Sequence, residues 1–255
     1  MTLVQFPQLP HNEHLQPIAA HFHNLAIAPD EIPRHEALVL ICYTNRSGSS
    51  YLAHALHSSG RLNLAVEMLN CEQVLADTRL RGHARFADYV AAQMMSRLVA
   101  GRFAMKVALP HLEILGASGL LDHCPHTAHF VFIERSDRLG QAISYEIARQ
   151  TARWSSEIGA RPDGRDPTYS RQALIDAIEM FAELNRQFDR FFGRNGIVPQ
   201  HVLYERLVVD PGAEVRAIGA KVGLADLAVL PARITLQRQA GPTNSCWREL
   251  FLAGE

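Results

Sequence analysis

No uninterrupted apolar run in this 255-residue sequence approaches the roughly 20 residues that a membrane-spanning helix needs, so membrane insertion is not expected. Met1–Pro10 has neither a basic leader nor a long apolar stretch, and no export signal is expected from it. Charge of one sign is also missing. Lys and Arg total 25 against 26 Asp and Glu, a net charge of -1, which leaves no overall positive field to hold a nucleic-acid backbone. Cysteine is scarce. Cys42, Cys71, Cys124 and Cys246 lie far apart and form no Cys-x-x-Cys pair, which argues against a disulfide framework and a cysteine zinc site and points to a reducing, cytoplasmic setting. The sequence also has no internal repeat and no low-complexity tract.

What is present is an ordinary globular balance, 47% hydrophobic and 20% charged residues. Residues 1–36 carry five prolines among scattered histidines and are expected to form a loosely structured arm with one short helix near Ile18–Leu25. Residues 37–255 are expected to form a single domain. Ala37–Tyr43 is a continuous apolar run, the pattern of a strand buried on both faces, and Leu52, Ala55, Leu56 and Ser59 follow at helical spacing. Phe86, Val90, Met94 and Leu98 mark a helix, and Arg102–Leu109 alternates as a strand. Phe130–Ile133 is a second buried strand, with Leu139, Ile143 and Ile147 as the inner stripe of the next helix. A long helix spans Leu174 to Phe192, His201–Tyr204 is a short strand, and Asp210-Pro211 opens a further helix. Alternation of this kind implies an α/β fold, a mainly parallel sheet flanked by helices, with ligands at the carboxyl ends of the strands.

Asn45-Arg46-Ser47-Gly48-Ser49-Ser50 joins the first strand to a helix N-terminus, where backbone N–H groups and the helix dipole converge on an anion. Gly48 admits close backbone approach, the hydroxyls of Ser47, Ser49 and Ser50 are short donors, and Arg46 adds a guanidinium fork. The Walker pattern is absent, since no lysine precedes the serines, which weakens an ATPase reading. Arg135 stands past the Phe130–Ile133 strand and Ser144 about two turns into the next helix. Two anion sites on successive units suit a nucleotide with separated phosphates.

Tyr43-Thr44-Asn45-Arg46-Ser47-Gly48-Ser49-Ser50-Tyr51-Leu52 resembles the 5′-phosphosulfate loop of PAPS-dependent sulfotransferases, particularly the bacterial group typified by trehalose 2-sulfotransferase. Arg135-Ser136-Asp137-Arg138, Gln141–Ser144 and Gln150–Trp154 are similar to that group's 3′-phosphate strand and helix. The resemblance implies a P-loop-like sulfotransferase fold and PAPS as sulfuryl donor. It implies that Arg46, Ser47, Gly48, Ser49 and Ser50 hold the 5′ group, that Arg135 and Ser144 hold the 3′ phosphate, and that Arg238, in a C-terminal stretch that includes Trp247 and Arg248, adds a nucleotide contact.

Glu67, seven residues beyond Gly60, occupies the place of the group's catalytic glutamate and is the expected general base. Leu64–Leu69 lacks the Glu-Pro and paired aromatics usual there, which counts against trehalose as acceptor. Lys106 matches a family lysine expected to steady the sulfate or the acceptor. Sulfuryl transfer needs one base and several cations rather than a metal. His123, His126 and His129 beside Cys124 show no recognised ligand spacing, and no metal is expected. The expected partner is a small-molecule or glycan acceptor; the resembled group includes dimers, so a homodimer is compatible with the resemblance, and the sequence itself does not fix the oligomeric state. Two alternatives stay open: a P-loop-type kinase or nucleotide hydrolase, and a non-catalytic nucleotide-binding protein.

Overall fold

Burial of the first apolar run on both faces sets the architecture. In the computed structural model, which describes residues 5–154, 166–236 and 241–255, all seven residues of strand β1 (Ala37–Tyr43) are buried. Chain order is α1 (Leu15–Phe22), β1, α2 (Ser49–Ser58), α3 (Cys71–Arg81), α4 (Phe86–Arg97), β2 (Arg102–Val107), α5 (Leu109–Ser118), β3 (Ala128–Glu134), α6 (Arg138–Thr151), α7 (Arg171–Arg194), β4 (Gln200–Leu203), α8 (Tyr204–Val209), α9 (Pro211–Lys221) and α10 (Pro242–Ala253). The four strands form one parallel sheet in the order β2-β1-β3-β4.

The period-2 pleat divides the core. Leu38, Leu40 and Cys42 of β1 join Phe103, Met105 and Val107 of β2 and Phe132 of β3 in a layer with residues of α4, α5 and α7. Val39, Ile41 and Tyr43 join Ala104, Val131 and Ile133 in a layer with residues of α2 and α9. A third cluster binds Ala142 and Ile143 of α6 to Leu174 and Phe181 of α7 and to Trp247 of α10.

Three local features depart from the sequence expectations. β2 ends at Val107 rather than Leu109, because Pro110 sits in the first turn of α5, where its missing N–H costs nothing. Helix α3 has only Val74 and Thr78 buried, too narrow a stripe to announce itself as periodicity. The N-terminal helix begins earlier, at Leu15, because Asn12 Oδ1 accepts the N–H groups of His14 and Leu15. Asn12 Nδ2 in turn donates to Pro110 O at 2.9 Å and Glu113 Oε2 at 2.7 Å. Ile18, Phe22, Leu25 and Ile27 are buried in the same layer as β2 and α5.

Ile18 is 0% exposed. Ile18→Ala is expected to cost about 2–5 kcal/mol of unfolding free energy in a urea titration, where truncation on a detached arm would cost under about 0.5 kcal/mol.

Candidate active site

β1 and β3 are neighbours and parallel, so their carboxyl ends place the loops leading into α2 and α6 side by side. In the first loop Arg46 adopts a left-handed backbone (φ 64°) and Gly48 another (φ 94°). Gly48 is the N-cap of α2, and no side chain caps that helix end. Its amide groups therefore remain available to an outside anion. Ser47 Oγ is buried without a hydrogen-bond partner, an orphan of the kind a ligand relieves. Ser49 is buried at the first position of the helix, and Ser50 follows it.

The second loop is built in the opposite way. Asp137 Oδ1 accepts from Gly140 N at 2.9 Å, and the Glu205 carboxylate accepts from Ser136 N and Asp137 N, both at 3.1 Å. The start of α6 is thus closed by the protein's own carboxylates, and an anion there must be held by side chains. Arg135 Nη2 donates to Asp137 Oδ2 at 3.3 Å and Arg248 Nη2 donates to the same oxygen at 2.6 Å. Arg135 Nε is buried without a partner. Burial works to raise the Asp137 pKa, but the hydrogen bonds of Arg248 and Gly140 and the two arginine charges outweigh it and hold the carboxyl below its usual range. Gly140 leaves room for this cluster, since a Cβ there would overlap Asp137 Oδ2 and crowd both guanidinium groups.

Direct contacts tie the two loops together. Arg46 Nε donates to Ser144 Oγ at 2.8 Å and Arg46 Nη1 to the carbonyl of Trp154 at 2.6 Å. Gln141 Nε2 donates to Thr44 Oγ1 at 3.0 Å and to Asn45 O at 2.8 Å. The Tyr204 ring fills the remaining gap: a Cβ on Gly48 would overlap it, and Arg135 Cζ lies 5.0 Å from its centroid. Burial first, and the nearby Arg135 charge second, lower the Arg46 pKa. The structure thus groups Arg46, Ser47, Gly48, Arg135 and Ser144, with Arg46 spanning the two loops.

A third strand end supplies the remaining chemistry. Lys106, on β2, is only 8% exposed. Its Nζ donates to Glu67 Oε1 at 2.7 Å and to Ser50 Oγ at 3.3 Å, and stands 4.6 Å from the Tyr43 ring centroid. Glu67 is fixed by its backbone neighbour: Val66 bridges Met105 in parallel fashion, and Lys106 N donates to Val66 O at 2.9 Å. Burial works to raise the Glu67 pKa, but the charge and hydrogen bond of Lys106, with help from Tyr43 and His111, bring it below the ordinary carboxylate value. Glu67 therefore stands ionised at neutral pH.

Arg238 lies outside the described residues. The C-terminal cation that the structure does bring to the site is Arg248, which the sequence flagged only as part of a resembling segment. Asp137 and Gln141 likewise stood in a resembling segment without an assigned role, and Tyr204 and Glu205 went unforeseen, because single polar residues at helix starts carry no periodic signal. Among the described residues, no group of three or more His, Cys, Asp or Glu side chains is arranged to hold a metal ion.

Gly48→Ala combines a left-handed backbone with an overlap on Tyr204, and is expected to cost about 1–3 kcal/mol, seen as a lowered thermal midpoint. In Lys106→Met, burial of Glu67 loses its main compensation. Its carboxyl should then titrate above the ordinary glutamate value in carbon-13 NMR, where the wild-type group titrates below it.

Residues 104–253, more than half of the chain, match the family described as Stf0 sulphotransferase. No curated protein sequence matches the chain. Two crystal structures of retinol dehydratase are similar to it. One, in a complex with retinol and PAP, shares 14% identity with a TM-score of 0.44 over 93% of this chain and 81% of that one. The other, with androsterone and inactive cofactor PAP, shares 13% identity with a TM-score of 0.40 over 93% of this chain and 68% of that one.

Proposed function

Because the chain belongs to the Stf0 sulphotransferase family and is a PAPS-dependent sulfotransferase, we propose that the three strand ends divide the reaction among named residues. The uncapped start of α2, with Ser47, Gly48, Ser49 and Ser50, takes the 5′ phosphosulfate. Arg135, Arg248 and Ser144 take the 3′ phosphate, and Arg46 bridges the two halves. The observation that carries this reading is the Arg46–Ser144 hydrogen bond, which joins the loops into one site for a ligand with two anionic ends. The residues suit the nucleotide in a second respect, since Ser47 Oγ and Arg135 Nε are buried donors without partners.

When bound, PAPS supplies a sulfuryl group whose transfer leaves the bisphosphate behind. Glu67 is the general base: ionised and fixed beside β2, it accepts the proton of the acceptor hydroxyl. Lys106 connects the base to the 5′ loop through Ser50 and carries positive charge toward the place where charge builds on the leaving phosphate. Arg46 and the start of α2 add fixed donors there, so the protein's own groups meet the electrostatic demand of an in-line displacement. The acceptor is a hydroxyl of a small molecule or glycan. Four cysteines that are all free support a cytoplasmic setting.

Three measurements test this. Adenosine 3′,5′-bisphosphate should raise the thermal midpoint well beyond ATP with magnesium, and equal shifts would favour a kinase-like site. Arg135→Ala and Arg248→Ala should each weaken the bisphosphate about tenfold or more while leaving adenosine 5′-phosphosulfate, which lacks the 3′ phosphate, nearly unchanged in calorimetry. With an acceptor found by screening against sulfur-labelled PAPS, Glu67→Gln should lower turnover about 10²-fold or more with bisphosphate affinity intact. Unaltered turnover removes Glu67 as the base.

A further inference from the structure

A cavity of about 290 Å³ opens at the amino-terminal ends of β3 and β4, the edge of the sheet opposite the candidate active site. Its origin is a mismatch in strand length. β4 begins opposite Val131, so Ala128–Phe130 have β1 on one flank and no strand on the other. The notch is bounded by Gly196–Val198 before β4, by the end of α9, and by the turn around Cys124. Phe130, Ile197, Ile218 and Val222 form its apolar wall beside polar groups that include Gln200, and Val198, 87% exposed, extends the apolar rim.

One cationic side chain, Lys221, and the imidazole of His129 also line the notch, and no carboxylate does. Neither makes an ion pair among the described residues. They are close enough to act on each other: burial first, and the charge of Lys221 second, lower the His129 pKa. An apolar wall beside one ammonium without a counter-charge and a neutral imidazole is a composition suited to a small ligand, and the volume falls near the lower end of the range for such sites, about 300–1,000 Å³.

We propose that this notch is a second ligand site, for a small apolar molecule carrying one carboxylate or sulfate group. The apolar body lies against Phe130, Ile218 and Val222, and the anionic head meets the Lys221 ammonium, with the neutral His129 imidazole beside it as a hydrogen-bond donor. The site stands apart from sulfuryl transfer. At about 3.3 Å per residue, the length of β3 separates it by about 20 Å from the loops at the other end.

The test uses 8-anilinonaphthalene-1-sulfonate, an aromatic monoanion that fluoresces when shielded from water, titrated into the full chain with saturating adenosine 3′,5′-bisphosphate. One probe per chain is expected, displaced by octanoate and octyl sulfate but not by octan-1-ol at the same concentration. Preference between octanoate and octyl sulfate identifies the head group. Lys221→Glu should weaken binding about tenfold or more, and His129→Leu should weaken it by a smaller factor. Arg190→Glu, a charge reversal away from the notch, should leave it unchanged. Circular-dichroism melting checks that each variant is folded. The proposal is overturned if folded Lys221→Glu binds the probe like wild type, if octan-1-ol displaces it as well as octanoate, or if the bisphosphate abolishes binding.

Discussion

The site rests on hydrogen bonds that cross between two neighbouring strand ends. Arg46 reaches from the loop after β1 to Ser144, and Gln141 reaches back from α6 to Thr44 and Asn45. The parallel β1–β3 pairing brings the loops within range, and these bonds set their mutual position. Without them each loop would be an isolated anion trap. With them, two traps share one frame, and the Tyr204 ring packed between Gly48 and Arg135 keeps them from collapsing together.

Such a frame keeps like charges close. Arg46 and Arg135 act on each other, and Arg248 shares Asp137 with Arg135. Asp137 offsets part of this charge in the free protein. It occupies part of the donor capacity of both guanidinium groups without exhausting it, as the unpartnered Arg135 Nε attests. A phosphate oxygen offers stronger hydrogen bonds to that cluster than a carboxylate already shared between two arginines. The Lys106–Glu67 pair follows the same pattern on the other side, where the lysine that keeps Glu67 ionised also touches Ser50 at the start of α2.

Much of this could be foreseen from residue order. The β1 strand, the α2 loop and the β3–α6 unit were legible because apolar runs and helical stripes are long signals, and the family resemblance rested on the same segments. Arg46, Arg135 and Ser144 could be named because each sits at a fixed offset from a strand end. Arg248 was flagged only inside a resembling segment and Tyr204 not at all, since they arrive from α10 and α8, and only tertiary packing brings them in. The near-featureless α3 escaped notice for lack of a wide apolar stripe, and the placement of α1 depended on Asn12 contacting Pro110 and Glu113, a pairing across about a hundred residues that no local pattern encodes.

Glu205 has one further effect. By claiming the amides at the head of α6, it gives the two strand-end turns unequal appetites: one offers bare backbone dipoles, the other only guanidinium and hydroxyl groups. A ligand with two unlike anionic ends has one favoured polarity in such a frame, because only one of the two turns offers free backbone N–H groups. On the proposed placement of the nucleotide, which helix is left open and which is plugged would set its direction of loading.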